Sequence, residues 1–138
     1  MKRVFELRIA AAAGIAAFGI AFSGCDVERY SLSADAEKAA AVLRTIDSAE
    51  QGCRERSGHY VLPAEAEGNR CDGVRSATLQ AKQEGYLVEI MTQPYSLRVV
   101  PEAREKLVSM YIDQTAQIHI GTKERLASPK TAVYHDRL

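Results

Sequence analysis

The feature that most constrains this 138-residue chain is the contrast between its first two dozen residues and all that follows. Lys2, Arg3 and Arg8 give a positively charged start, and residues 9–22 form an uncharged run rich in Ala, Ile, Phe and Gly. A charged start, a short apolar run and small residues before a cut are the parts of a secretory signal peptide. The run is shorter than the roughly 20 residues of a membrane-spanning helix. Residues 1–24 are therefore interpreted as a signal peptide, the alternative being a buried helix of a cytosolic protein.

The end of the apolar run resembles the lipobox of bacterial lipoproteins. Phe22, Ser23 and Gly24 place one apolar and two small residues before Cys25. The resemblance implies cleavage before Cys25 and attachment of lipid to its thiol, with acyl chains such as palmitate anchoring the mature protein to the membrane. Each buried methylene contributes about 0.8 kcal/mol, so several chains hold firmly. Asp26 resembles the residue that retains lipoproteins on the inner membrane of enterobacteria, which slightly favours that membrane. The domain is expected to face the periplasm or the exterior.

The cysteine count agrees with export. The chain has three cysteines, and lipid on Cys25 would leave Cys53 and Cys71 as an even pair in a compartment where disulfides persist. A bond between them would close a loop of about 18 residues and stabilise the fold by roughly 3 kcal/mol in the chain-entropy model. The alternative is a pair of buried free thiols.

The mature chain, residues 25–138, is long enough for one domain. The leader carries three of the 18 Lys and Arg residues and one of the 18 Asp and Glu residues, which leaves a formal net charge of −2. This balance lacks the basic stripe of a nucleic-acid-binding protein, so no nucleic acid partner is expected. Residues 25–32 are predicted to be a tether, 33–121 a folded domain and 122–138 a flexible polar tail.

The spacing of apolar residues predicts an α+β domain. Apolar residues recur every three or four positions along an amphipathic helix predicted over residues 33–56, which Gly58 ends. An irregular connection over 57–74 and a short helix over 75–83 follow. Four short runs of strand-forming residues separated by turn residues then predict an antiparallel meander that packs on the first helix. The predicted strands are residues 86–91, 95–100, 107–112 and 117–120.

The order of these elements and several local motifs resemble the globular domain of type IV pilins and pseudopilins. Gly58-His59-Tyr60 resembles their Gly-x-Tyr, Gly85-Tyr86 their strand-opening pair, and residues 111–118 their final hairpin. The resemblance covers about residues 36–121 and implies a long helix packed on a four-stranded antiparallel meander.

The chain departs from the pilin pattern at two places. Ala116 stands where the family usually has Gly, so we expect either a different turn or a strained residue there. The start of the chain lacks the pilin leader ending in Gly, so filament assembly is not implied.

The sequence contains no recognisable catalytic, cofactor or metal motif. His59, His119 and His135 lie far apart and lack the pairing of a metal-binding helix, and His119 is expected to face solvent. A dyad of Cys53 and His59 would require a free thiol, which a disulfide removes. The expectation is a membrane-anchored, non-catalytic lipoprotein of the cell envelope that acts as an interaction or assembly component. It would dock an envelope protein, and no small-molecule substrate is identified.

Two other classes of function remain open at this point. One is a minor pilin or pseudopilin-like subunit of a secretion or pilus system. The other is a small periplasmic enzyme.

Overall fold

The computed structural model describes residues 34–66, 71–103 and 107–135. The expected signal peptide, Cys25 and the tether lie outside the described residues. Within these ranges two helices precede a four-stranded antiparallel sheet, which confirms the α+β class, the long helix and the meander. The elements are α1 (residues 34–57), α2 (Asp72–Gln83), β1 (Tyr86–Thr92), β2 (Tyr95–Pro101), β3 (Val108–Asp113) and β4 (Ile118–Thr122). No helix in these ranges is both long enough and apolar enough to cross a membrane.

Helix α1 forms where the sequence predicted it because its apolar residues return to one face every three or four positions. The buried apolar residues of that face are Ala36, Ala39, Ala40, Leu43, Ile46 and Cys53. Alanine has the highest helix propensity and lets the helix approach the sheet closely. The helix ends at Gly58, whose φ of +86° lies in the left-handed region that glycine adopts without steric cost. The Gly58 N–H donates to the carbonyl of Arg54 at 2.7 Å.

The sheet has the order β1-β2-β3-β4, and every neighbouring pair is antiparallel. Its core face can be followed along one row of partners, from Val88 to Val99, Met110 and Ile120. Strand β2 alternates buried and half-buried residues throughout its length, as expected of a strand with one face in the core. That face and the buried side of α1 form one apolar cluster.

A disulfide joins the last turns of α1 to the residue before α2. The Cα atoms of Cys53 and Cys71 are 5.0 Å apart, and both residues are buried, which confirms the predicted pairing. Val61, Ala66 and Val74 pack around the bond as a second, smaller apolar cluster. The helix that follows begins at Asp72, three residues before its predicted start. A closed loop of this size stabilises the fold by roughly 3 kcal/mol.

The chain beyond β4 first crosses the outer face of the sheet. Ala127 is fully buried there, and its N–H donates to the hydroxyl of Ser109 at 2.9 Å. Ser109 in turn donates to the carbonyl of Thr122 at 3.1 Å. A side chain at Gly121 would collide with this crossing segment, since its Cβ would lie 2.3 Å from the Ala127 nitrogen. The outer face of β3 and β4 is therefore covered by the protein's own C-terminal segment.

The same segment then runs beside the free edge of β4. The N–H of Ile120 donates to the carbonyl of Ala132 at 2.9 Å, and the N–H of Tyr134 donates to the carbonyl of Ile118 at 2.7 Å. Up to residue 135 these contacts differ from the flexible tail expected over residues 122–138, and residues 136–138 lie outside the described ranges. The segment is placed by backbone hydrogen bonds and one buried alanine, and neither produces an apolar period in the sequence.

We predict that Gly121→Ala displaces the segment from the sheet. The added Cβ would meet backbone atoms, 2.3 Å from the Ala127 nitrogen and 2.5 Å from the Arg125 carbonyl oxygen, and backbone cannot move aside as a flexible side chain can. We expect the free energy of unfolding in urea to fall by about 1–3 kcal/mol and the amides of residues 125–134 to exchange faster.

The matched control is Gly73→Ala in α2, where the new Cβ would touch only the Ala49 methyl at 3.8 Å. This variant should be as stable as the unchanged protein or more so, because alanine favours the helix over glycine. If Gly121→Ala is as stable as the unchanged protein, the described packing of the segment is wrong.

Candidate functional site

A groove of about 700 Å³ opens at one end of the sheet. It lies between the C-terminal half of α1, the three residues that follow α1, the β1–β2 turn and the β3–β4 turn. Its volume is in the range of sites that bind small ligands. The polar side chains that line it include Asp47, Gln51 and Arg54 from α1, Tyr60 after the helix, and Gln93 and Gln114 from the two turns.

Helix α1 presents a negative group and a positive group to the groove at a fixed separation. Asp47, Gln51 and Arg54 follow one another at the i, i+4 and i+7 positions, which share one helix face. The rise per residue separates Asp47 from Arg54 by about 10 Å along the axis. Gln51 lies between them, donates to Asp47 Oδ1 at 3.4 Å and accepts from the Tyr60 hydroxyl at 3.2 Å.

Tyr95 fixes the position of Asp47, the negative group in the groove. Its hydroxyl donates to Asp47 Oδ1 at 2.8 Å, and its ring stacks on that of Tyr60 with centroids 4.0 Å apart and planes 12° apart. Burial raises the pKa of Tyr95, and the hydrogen bond to Asp47 raises it further. The phenol therefore remains a proton donor at neutral pH and holds the carboxylate in place.

Tyr60 fixes the position of Arg54, the positive group in the groove. The Arg54 guanidinium carbon lies 5.2 Å from the centroid of the Tyr60 ring, and Nη1 donates to the Tyr60 hydroxyl at 3.0 Å. A guanidinium over an aromatic ring is stabilised by the electrostatic attraction between cation and ring. In the described part of the chain Arg54 has no carboxylate partner.

The β3–β4 turn forms part of the opposite wall. Asp113 Oδ1 accepts from both the N–H and the hydroxyl of Thr115, at 2.9 and 2.6 Å. The hydroxyl bond is the main reason that the pKa of Asp113 is lowered, so this carboxyl is ionised at neutral pH. Ala116 follows with φ +61°, where a residue other than glycine costs roughly 1–2 kcal/mol. Of the two outcomes expected for Ala116, the structure shows strain, and such residues often occur at functional sites.

A buried carboxyl on α1 holds the segment that closes one end of the groove. Glu50 is fully buried, and its Oε2 accepts from the N–H of Val61 at 3.1 Å. Its other oxygen has no hydrogen-bond partner among the described residues. Burial raises the pKa of Glu50, the Val61 N–H opposes this rise, and the charge of Asp47 adds to it. This bond and the disulfide together tie the chain after α1 back onto the helix.

The residues singled out from the sequence do not form one site within the described ranges. Cys25 lies outside the described residues. Cys53 is bonded to Cys71 and so offers no thiol to His59, which itself lines the groove. His119 is only 7% exposed, and its Nδ1 lies 2.8 Å from the carbonyl of Thr131. The expectation that His119 faces solvent was wrong, because the C-terminal segment covers it.

Sequence reasoning missed Asp47, Arg54 and Tyr60. The spacing of the two charged residues was visible, but it is also the spacing of an ordinary solvated helix face. Only the stack of Tyr60 on Tyr95, a contact between residues distant in sequence, turns that face into the wall of a groove.

We predict that Glu50 makes the protein less stable as pH rises. Its folded-state pKa is raised above the ordinary value of 4.5, so the folded protein retains a proton that the unfolded chain releases. The contribution of Glu50 to the free energy of unfolding is therefore fully present below the unfolded-state pKa. This contribution is lost as pH rises through the folded-state pKa. Glu50→Gln removes this dependence, so urea unfolding from about pH 4 to about pH 7 should show the variant gaining stability relative to the unchanged protein.

Glu55→Gln removes a carboxyl from the exposed surface of the same helix and controls for the loss of one charge. If the difference between Glu50→Gln and the unchanged protein is constant across this pH range, Glu50 is not the buried, proton-retaining group described here.

Comparison of the chain with known protein families, curated proteins and solved structures finds no match.

Proposed function

We propose that this chain is a lipid-anchored, non-catalytic protein of the bacterial cell envelope whose domain binds an envelope protein partner. The observation that carries the proposal is the disulfide between Cys53 and Cys71. Such bonds persist in exported proteins and are rare in the cytosol. The pairing leaves Cys25 as the odd cysteine, directly after a segment with the form of a signal peptide. Export followed by lipid attachment at Cys25 accounts for both features.

The groove supports a binding role. Asp47 is held by the Tyr95 hydroxyl, and Arg54 is held by the ring and hydroxyl of Tyr60. Charged groups that are already fixed lose little conformational freedom when a partner arrives, which favours affinity. The groove is therefore the surface that we assign to the partner.

The free edge of β1 is a second surface that suits a protein partner. In the described sheet β1 pairs only with β2, whereas the edge of β4 is covered by residues 132–134. Leu87 and Met91 on β1 are 49% and 58% exposed. An unpaired edge strand can accept a strand from another chain.

The alternative function is a minor pilin or pseudopilin-like subunit. It is favoured by the order of the elements, in which one long helix precedes a four-stranded antiparallel meander. On this alternative the apolar run at residues 9–22 would be an assembly helix instead of part of a signal peptide. This order of elements is compatible with either function, so the processing of the N-terminus distinguishes them.

We predict that intact mass spectrometry of the protein from bacterial membranes finds a species that begins at Cys25 and carries added acyl mass. Cys25→Ser should abolish both the cut and the added mass, because the thiol is the group that accepts the lipid. Cys71→Ser is the matched control, since it removes a cysteine but leaves the lipid site intact, and it should remain acylated. A species cut near residue 2 without lipid would contradict the anchor and favour the pilin alternative.

A further inference from the structure

We propose that the groove binds the C-terminal segment of a partner polypeptide, with the terminal carboxylate on Arg54 and a Lys or Arg side chain on Asp47. This inference rests on the proposed function and names the ligand class of the same groove. The positive group of the ligand precedes its carboxylate by about three residues. Three extended residues span about 10 Å, which matches the separation of Asp47 and Arg54 along α1.

Arg54 has the capacity to hold a carboxylate. One of its nitrogens, Nη1, is bonded to the Tyr60 hydroxyl, and the ring of Tyr60 lies beneath the guanidinium. A guanidinium has five N–H donors in a planar fork, so the remaining donors are available to two carboxylate oxygens. No acidic side chain in the described part of the chain occupies them.

Asp47 has a matching capacity for a cation. Its Oδ1 accepts from the Tyr95 hydroxyl and from Gln51, which fixes the orientation of the side chain. Its Oδ2 accepts no hydrogen bond from the described residues, and the residue is partly exposed. A carboxylate oriented in this way is prepared to receive an ammonium or guanidinium group.

The rim opposite α1 suits the backbone between the two charged ends. Gln93 and Gln114 are exposed at the two turns, and each primary amide offers both donors and an acceptor. Neither side chain has a hydrogen-bond partner in the described ranges. These amides can pair with the N–H and carbonyl groups of an extended peptide.

Other ligand classes fit the groove less well. A phosphate or another simple anion would meet Arg54 but would also meet the side chains of Asp47 and Asp113, which line the groove. A sugar ring would require an open aromatic face, whereas Tyr60 has Tyr95 against one face and Arg54 above its ring. A ligand with both charges in one extended chain satisfies both ends together.

The test uses the full chain, purified from membranes in detergent, and a pool of N-acetylated tetrapeptides that begin with Lys and end in a free carboxylate. Calorimetry measures affinity, and amide NMR shifts locate the binding. We expect shifts at groove residues and at least roughly tenfold weaker binding for a pool with amidated C-termini or with norleucine in place of Lys, because each loses one charge-assisted contact.

Protein variants assign each end of the peptide. Arg54→Gln should lower the affinity for the free-carboxylate pool to that for the amidated pool. It should leave the affinity for the amidated pool unchanged. Asp47→Asn, which keeps an oxygen acceptor for Tyr95, should remove the preference for Lys over norleucine. Lys38→Gln removes a positive charge from α1 outside the groove and should change neither affinity.

Two results would overturn the assignment: no shift at the groove residues with any pool, or equal affinity for the free and amidated pools. Failure here is distinct from failure of the anchor, because the mass of the species that begins at Cys25 is measured separately. If the chain is lipidated but does not bind the peptides, only the ligand assignment is wrong. If the chain is not lipidated but binds the peptides, only the lipid anchor is wrong.

Discussion

The chain that follows α1 is tied back to that helix at two points, and the rest of the site depends on this constraint. The buried carboxyl of Glu50 accepts from the backbone N–H of Val61, and the disulfide fixes the residue before α2 to the end of α1. Tyr60, the residue directly before Val61, is thereby held against Tyr95, which in turn holds Asp47. Without the two ties the polar face of α1 would be an ordinary solvated helix surface.

Burial of Glu50, which forms one of these two ties, destabilises the fold, and other interactions must offset this loss. Glu50 is fully buried with one oxygen unpaired among the described residues, and an unsatisfied buried polar atom costs about 1–3 kcal/mol. The disulfide contributes roughly 3 kcal/mol by restricting the unfolded chain, which is enough to offset that penalty. The strained backbone of Ala116 adds a smaller cost on the opposite wall. Both costs fall beside the groove, where strain is often retained for function.

Much of the fold could be predicted from the sequence because it depends on local periods. The buried face of α1 and the alternation along β2 are visible in single runs of residues, and the disulfide follows from an even count once Cys25 is set aside. The C-terminal segment could not be predicted, because it is held by backbone bonds and by contact with Gly121. The groove could not be predicted either, since its walls come from two turns and a helix that meet only in three dimensions.

The Glu50–Val61 bond and the disulfide together hold the chain against α1. The most direct test is the hydrogen exchange rate of the Val61 amide in the oxidised and the reduced protein, with the amide of Leu62, which bonds to exposed Glu65, as an internal reference. We expect slow exchange of the Val61 amide in the oxidised protein, much slower than that of the Leu62 amide, and faster exchange after reduction. If the Val61 amide exchanges as fast as that of Leu62 in the oxidised protein, the Glu50–Val61 bond and the disulfide do not hold this segment against α1.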